Sequence, residues 1–178
     1  MPLNLSTPGE GGDFTPSIKF NAKDGEWFKR EEGEDVEVSE FQAVFDLENI
    51  KTGWLRMMSG EAPDFVSDPS LSEQAARPSD EHKRGFKVNI YSDKQLGGVR
   101  EWMANSMMAT GAVGKLYAEY EAKKEDGKAP VVVCGETNKV KMKHGTNYEP
   151  VLKMSKMVKR PDAFDSVGAV KEDDDAEF

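Results

Sequence analysis

Eleven side chains of this 178-residue sequence could act together on an anionic, ring-bearing ligand: Lys19, Trp54, Arg56, Arg84, Lys87, Tyr91, Lys139, Lys141, Lys143, Tyr148 and Lys153. Cations interleaved with aromatic rings on strand faces suit a single-stranded nucleic acid. Rings stack on bases, worth roughly 1–3 kcal/mol each, while Lys and Arg follow the phosphates. Lys139, Lys141 and Lys143 alternate with Val140 and Met142, so they share one face of an extended segment. A lysine stripe also guards an edge strand against aggregation, and the Trp54 ring could instead cover a small second core beneath the loop that follows it.

Residues for catalysis are poorly supplied. His82 and His144 each stand in a basic turn without H-E-x-x-H spacing, and a surface imidazole is expected at both. Residues 109–116 brush against the phosphate-loop pattern but lack its first Gly and the Ser/Thr after Lys115. Cys134 is alone inside an apolar run, which excludes disulfides and thiolate metal sites and predicts a buried, inert thiol. The acidic run Glu31 to Asp35 reads as a solvated loop without a calcium-loop pattern. The reading is therefore a protein without enzymatic activity, cofactor or metal. A nuclease using Asp46, Glu48 and Asp93 is a poorer reading, because no acidic triad with a nearby Lys stands out.

The net charge of −9 argues at first against nucleic acid, but its distribution says more. Residues 1–50 are net −8, whereas residues 128–160 carry eight Lys/Arg against Glu136 and Glu149. With 37% hydrophobic and 32% charged residues the chain reads as globular and soluble. Neither a membrane-length apolar run nor a secretory signal is evident, so the expected location is the cytosol.

The elements that must position these side chains are mostly strands. Residues 1–13 are rich in Gly, Pro, Ser and Thr and read as a disordered arm. A strand from Phe14 to Ala22 turns at Asp24-Gly25, and a second runs from Glu40 to Asn49 with Phe41, Ala43, Phe45 and Leu47 inward. A third covers Trp54 to Met58, with Leu55 and Met57 on one face and Trp54 and Arg56 on the other. Residues 60–84 form a long loop, and Phe86 to Tyr91 is a clear strand with Phe86, Val88 and Ile90 inward. From Val99 to Tyr120 the apolar period turns helical, with Gly111 and Gly114 kinking or splitting the helix. A short buried strand at Val131–Cys134 follows, then Thr137 to Lys143, a turn at His144–Asn147, and a return strand from Tyr148 to Val158 with Leu152 and Met154 inward. This order predicts a mainly β protein: an OB-fold-like barrel of five to six strands, with one helical segment between the third and fourth barrel strands. It divides the chain into an arm (1–13), an OB-fold-like domain (14–160), and a linker with an acidic tail (161–178).

That tail holds Asp173, Asp174, Asp175 and Glu177 and closes on Phe178. An aromatic behind carboxylates reads as a hook for a basic partner with a small pocket. It resembles the C-termini of bacterial and bacteriophage single-stranded DNA-binding proteins, and with the strand–helix–strand order and the basic hairpin the whole chain resembles the bacteriophage type. Glu48–Trp54, Lys83–Phe86 and Lys143–Tyr148 are also similar to small phage-encoded proteins. The resemblance implies a replication, recombination and repair accessory that coats single-stranded DNA. It implies recruitment of polymerase, helicase or primase through the tail, in the cytoplasm of a bacterial host. A monomer and a homodimer both fit. The competing class is a DNA-mimicking inhibitor or virion accessory protein that uses the acidic residues 24–48.

Overall fold

A computed structural model describes residues 15–58 and 60–166. The arm at 1–13 and the tail residues Asp173, Asp174, Asp175, Glu177 and Phe178 lie outside the described residues. Among the described residues twelve strands and one α-helix are formed, so the fold is mainly β as expected, with about twice the strands that the alternation predicts. Ten strands make one sheet that curls into a half-barrel, and two form a separate hairpin.

The first strands are β1 (Ser17–Asn21), β2 (Glu26–Glu31) and β3 (Glu34–Val38). Gly25, at φ 78°, makes the β1–β2 turn, and the Asp24 carboxylate accepts the Glu26 amide at 3.0 Å. The run expected to be an acidic loop is a second hairpin: Glu32 and Gly33 both take positive φ, and β2 pairs with β3 from Trp27↔Val38 to Glu31↔Glu34. Its charges stay in water because β3 is an exposed sheet edge, where carboxylates block further strand pairing.

Next come β4 (Phe41–Phe45), β5 (Lys51–Arg56), β6 (Asp64–Ser67), β7 (Lys83–Ser92) and β8 (Gly98–Ala104). β4 stops early, and Leu47 is buried from a 3-10 turn at Leu47–Asn49. β7 pairs with β8 along one edge and shares its other edge between β5 and β4. The predicted helix start at Val99 is instead β8, because Val99, Trp102 and Met103 satisfy a helical period by coincidence. Arg100, Trp102 and Ala104 alternate inward, opposite Ile90, Val88 and Phe86.

The helix α1 (Met107–Lys123) begins at Ser106, whose hydroxyl accepts the Ala109 amide at 3.2 Å, and runs unbroken through Gly111 and Gly114. The chain closes with β9 (Lys128–Cys134), β10 (Thr137–Met142), β11 (Gly145–Pro150) and β12 (Lys153–Lys159). The single return strand expected from Tyr148 to Val158 is broken at Val151-Leu152, where the chain leaves the hairpin and β12 crosses back to pair with β9. The folded body also passes Arg160. A 3-10 turn at Asp162–Phe164 buries Phe164, with its ring 6.3 Å from that of Tyr91, in what the composition marks as linker.

The core sits in the hollow of the half-barrel and centres on two fully buried indoles. Trp102 lies 4.7 Å from Trp27 and 4.8 Å from Phe86, and Trp27 lies 5.3 Å from Phe41. Neither indole N–H has a hydrogen-bond partner, a local cost that aromatic burial offsets. Beside them the buried Arg100 guanidinium donates to the carbonyls of Leu96 (2.6 Å), Ser17 (3.2 Å) and Arg30 (2.8 Å), tying β8 to β1 and β2. Trp102→Ala should cost about 3–5 kcal/mol in urea unfolding, whereas Met107→Ala, on the exposed start of α1, should change stability by less than about 0.5 kcal/mol.

Candidate nucleic-acid interface

The hairpin β10–β11 forms a two-stranded sheet apart from the main one and carries Lys139, Lys141 and Lys143. Its register sets Lys139 opposite Tyr148 and Lys141 opposite Thr146, so these side chains share a face, and Lys143 follows in the turn. The alternation in β10 reads as the sequence predicts, with Lys139 and Lys141 exposed and Val140 and Met142 half-buried.

Three contacts hold the hairpin in place. The Tyr148 amide donates to the Ala22 carbonyl at 2.7 Å. The Tyr148 ring packs on Gly25, where an added Cβ would come within 3.1 Å of it. From the helix, Lys115 reaches Glu149 at 3.1 Å. The hairpin is thereby clamped between α1 and the β1–β2 turn, and that turn brings up Lys23. Lys23, Lys143 and His144 line a cleft of about 540 Å3 with Thr146 and Asn147, and no carboxylate faces into it. Lys23, Lys139, Lys141 and Lys143 make no ion pair among the described residues, and this concentration of unneutralised cations attracts anions.

Most of the other expected binding residues are already engaged. Lys19 is 2.7 Å from Asp35, and Lys153 is 2.8 Å from Glu136. Arg56 bridges Glu81 (2.9 Å) and Glu61 (3.2 Å), which push its guanidinium pKa up. Arg84 grips Asp68 with both terminal nitrogens. Trp54 does not offer a free ring: its N–H donates to the Ala75 carbonyl at 2.7 Å, and the Arg84 and Arg77 guanidinium groups stand 4.9 and 5.5 Å from the ring centroid.

The eleven residues also do not share a face. Trp54 pairs with Arg84, and Arg84 and Phe86 point the same way, toward α1 and the core. Lys87 and Tyr91 lie on the reverse side, with Lys87 5.0 Å from the Phe65 ring. The parity assigned to β5 is sound, since Leu55 is fully buried, but it is buried on that reverse side beneath Phe65 of β6. Both faces of the β5–β7 ladder are covered, so one-sided alternation misleads there. Met57, expected inward with Leu55, lies beyond the end of β5 and is exposed.

The segment after β5 is better ordered than a plain loop. Asp68 accepts from Thr52 (2.7 Å), the Ala75 amide (3.0 Å) and Arg84 (3.0 Å), and the Arg84 guanidinium above all holds its carboxyl well below the usual carboxylate range. His82 is buried rather than superficial, with Nε2 2.8 Å from Asp64 and Nδ1 2.7 Å from Ser79. Nothing local in the sequence distinguishes it from His144, which is exposed as expected. The Cys134 thiol is buried, and burial pushes its pKa up. Residues 109–116 lie within α1, so they form no phosphate loop. Among the described residues no three His, Cys, Asp or Glu side chains converge as metal ligands, Asp46, Glu48 and Asp93 included.

Lys23 is the site residue that the sequence reading missed. The Asp24-Gly25 signal placed it at a turn, but docking of that turn on a hairpin more than a hundred residues away leaves no local trace. No protein-family model matches the chain, and neither a curated protein nor a solved structure matches it.

The depressed Asp68 pKa makes part of the stability pH-dependent. A carboxylate held below its unfolded value contributes stability above roughly pH 4 and loses it as the pH falls toward the folded value. Asp68→Asn should therefore lower urea stability by about 1–3 kcal/mol at pH 7, with the gap to wild type closing below about pH 4.

Proposed function

We propose that this protein is a non-catalytic single-stranded DNA-binding protein that holds the strand against the β10–β11 hairpin. One observation carries the reading: Lys139, Lys141, Lys143 and Lys23 are gathered on one clamped hairpin and turn and make no ion pair among the described residues, in a chain of net charge −9. Most other cations are ion-paired, so a strand of phosphates gains most where the lysines are free. Tyr148 is the one aromatic of this hairpin and is half-buried, so stacking contributes less than charge, and binding should depend steeply on salt.

In this reading the curled sheet is an elaborated OB-fold, with β10–β11 as a projecting arm and α1 bracing it. The acidic residues of 172–178 recruit polymerase, helicase or primase, as the resemblance to the bacteriophage proteins implies, and serve replication, recombination and repair. Those residues also compete with the strand for the hairpin lysines, coupling occupancy to recruitment.

A second reading draws on the acidic residues of β1–β3. Glu26 lies close enough to Glu37 and Asp24 for their charges to raise its carboxyl pKa, so the β1–β3 edge presents crowded carboxylates as a nucleic-acid mimic would. The two readings separate on one substitution set. In anisotropy titrations of labelled oligo-dT, wild type should bind with strong salt dependence. Lys139→Gln/Lys141→Gln/Lys143→Gln should weaken binding at least tenfold at low salt and flatten the log–log salt slope by about 2, near 0.7 per lost phosphate contact on a single strand. An unchanged triple variant, or a wild type that does not bind at low salt, would reject the hairpin reading and favour the mimic.

A further inference from the structure

We propose that a second, smaller cleft, on the reverse side of the sheet from α1, is a phosphate-binding site built on Lys51 and Lys87. The two lysines stand directly opposite each other across the β5–β7 ladder. Directly opposed residues have Cβ atoms about 4.5–5.5 Å apart, and like charges at that spacing are destabilising. Neither ammonium makes an ion pair among the described residues, and the Lys87 ammonium instead sits over the Phe65 ring. Two facing cations without an ion pair among the described residues, on strands that pair well elsewhere, mark a position where the sheet carries an electrostatic cost that a bound anion would lower.

The surroundings form a receptacle for such an anion. Lys51 and Lys87 share a polar cleft of about 200 Å3 with Asp46, Asn49, Asn89 and Glu101. Asp46 is unavailable as a counterion, because the Arg160 guanidinium holds both its oxygens at 3.0 Å. The Asn49 amide is likewise spent on that carboxylate, at 3.2 Å to each oxygen. Among the described residues the Asn89 side chain has no hydrogen-bond partner, so its amide can donate.

Glu101, paired with Asn89 across the β7–β8 ladder, is the one carboxylate left. Burial pushes its carboxyl toward the neutral form, while Lys87 pulls it back. Two free ammonium groups thus face a single half-buried acid. A phosphate suits this arrangement better than a carboxylate, since its tetrahedral oxygens can meet both lysines and the Asn89 amide together.

The assignment of a phosphate stands on this cleft alone, and only a DNA strand as its source rests on the proposed function. The test uses the full chain, wild type and the variants Lys51→Gln and Lys87→Gln, in two arms. In the first, thermal unfolding is followed with inorganic phosphate against sodium chloride at matched ionic strength. Phosphate should raise the Tm of wild type more than that of either variant, and without phosphate the exposed Lys51→Gln should melt no lower than wild type.

In the second arm, oligo-dT binding is measured against salt. A slope flattened by about 0.7 in Lys51→Gln identifies a strand phosphate as the source, whereas an unchanged slope with a lost phosphate response identifies free phosphate. Equal responses of all three proteins in both arms would overturn the site. Failure of wild type to bind oligo-dT would sink the strand-binding function and leave the phosphate arm to decide the cleft.

Discussion

The structure depends on one strand having three neighbours. β7 gives one full edge to β8 and divides the other between β5 and β4, so the sheet must branch where the two partners diverge. The β4 side continues through β9 to β12 and curls over the aromatic core. The β5 side carries β6 away and buries Leu55 in a separate pocket on the reverse face. Gly53 and Gly85 face each other across the β5–β7 ladder because neither strand has room for a side chain there. A Cβ on Gly85 would meet the Ala104 carbonyl at 2.6 Å, and one on Gly53 the Val66 carbonyl closer still.

Electrostatics sort the cations into two populations. Those on the main sheet and helix are largely used within the protein: Arg100 on backbone carbonyls, Arg160 on Asp46 and Asp165, Arg84 on Asp68, and Lys115 on Glu149. These pairs hold together segments distant in sequence, such as the C-terminal Arg160 and the 3-10 turn after β4. Among the described residues the second population makes no ion pair: it includes lysines of the β10–β11 hairpin, of the β1–β2 turn and of the Lys51/Lys87 ladder position, as well as Lys83, Lys94, Lys156 and Lys159. Free cations in a net acidic chain mean that attraction of an anionic partner is local, set within a Debye length of about 10 Å, rather than a property of total charge.

Much of the fold was legible because the alternating segments are only half-buried. Phe41, Ala43 and Phe45 in β4, Phe86, Val88 and Ile90 in β7, and the lysine stripe of β10 all have the orientation their pattern requires. The pattern failed where both faces are covered or where two periods coincide. β8 offered apolar residues at helical spacing and yet is a strand, because pairing with β7 and the demand for Trp102 beside Trp27 outweigh a weak local preference. Trp54 read as an outward ring because nothing in its own strand reveals that Arg77 and Ala75, more than twenty residues on, fold over it.

The sequence by itself determined the mainly β class, the buried alternating core, the inert Cys134, and a basic hairpin late in an acidic chain. Each of these is set by side-chain type at short range: period-2 burial, the preferences of turn residues, and charge density along a segment. The tertiary structure alone decided which cations are free. It joined Lys23 to Lys143 and His144, set Lys51 against Lys87, and closed Arg56, Arg84 and Lys153 onto carboxylates. An ion pair or a cleft depends on the separation of groups in space, and strand register and the branching at β7 set that separation.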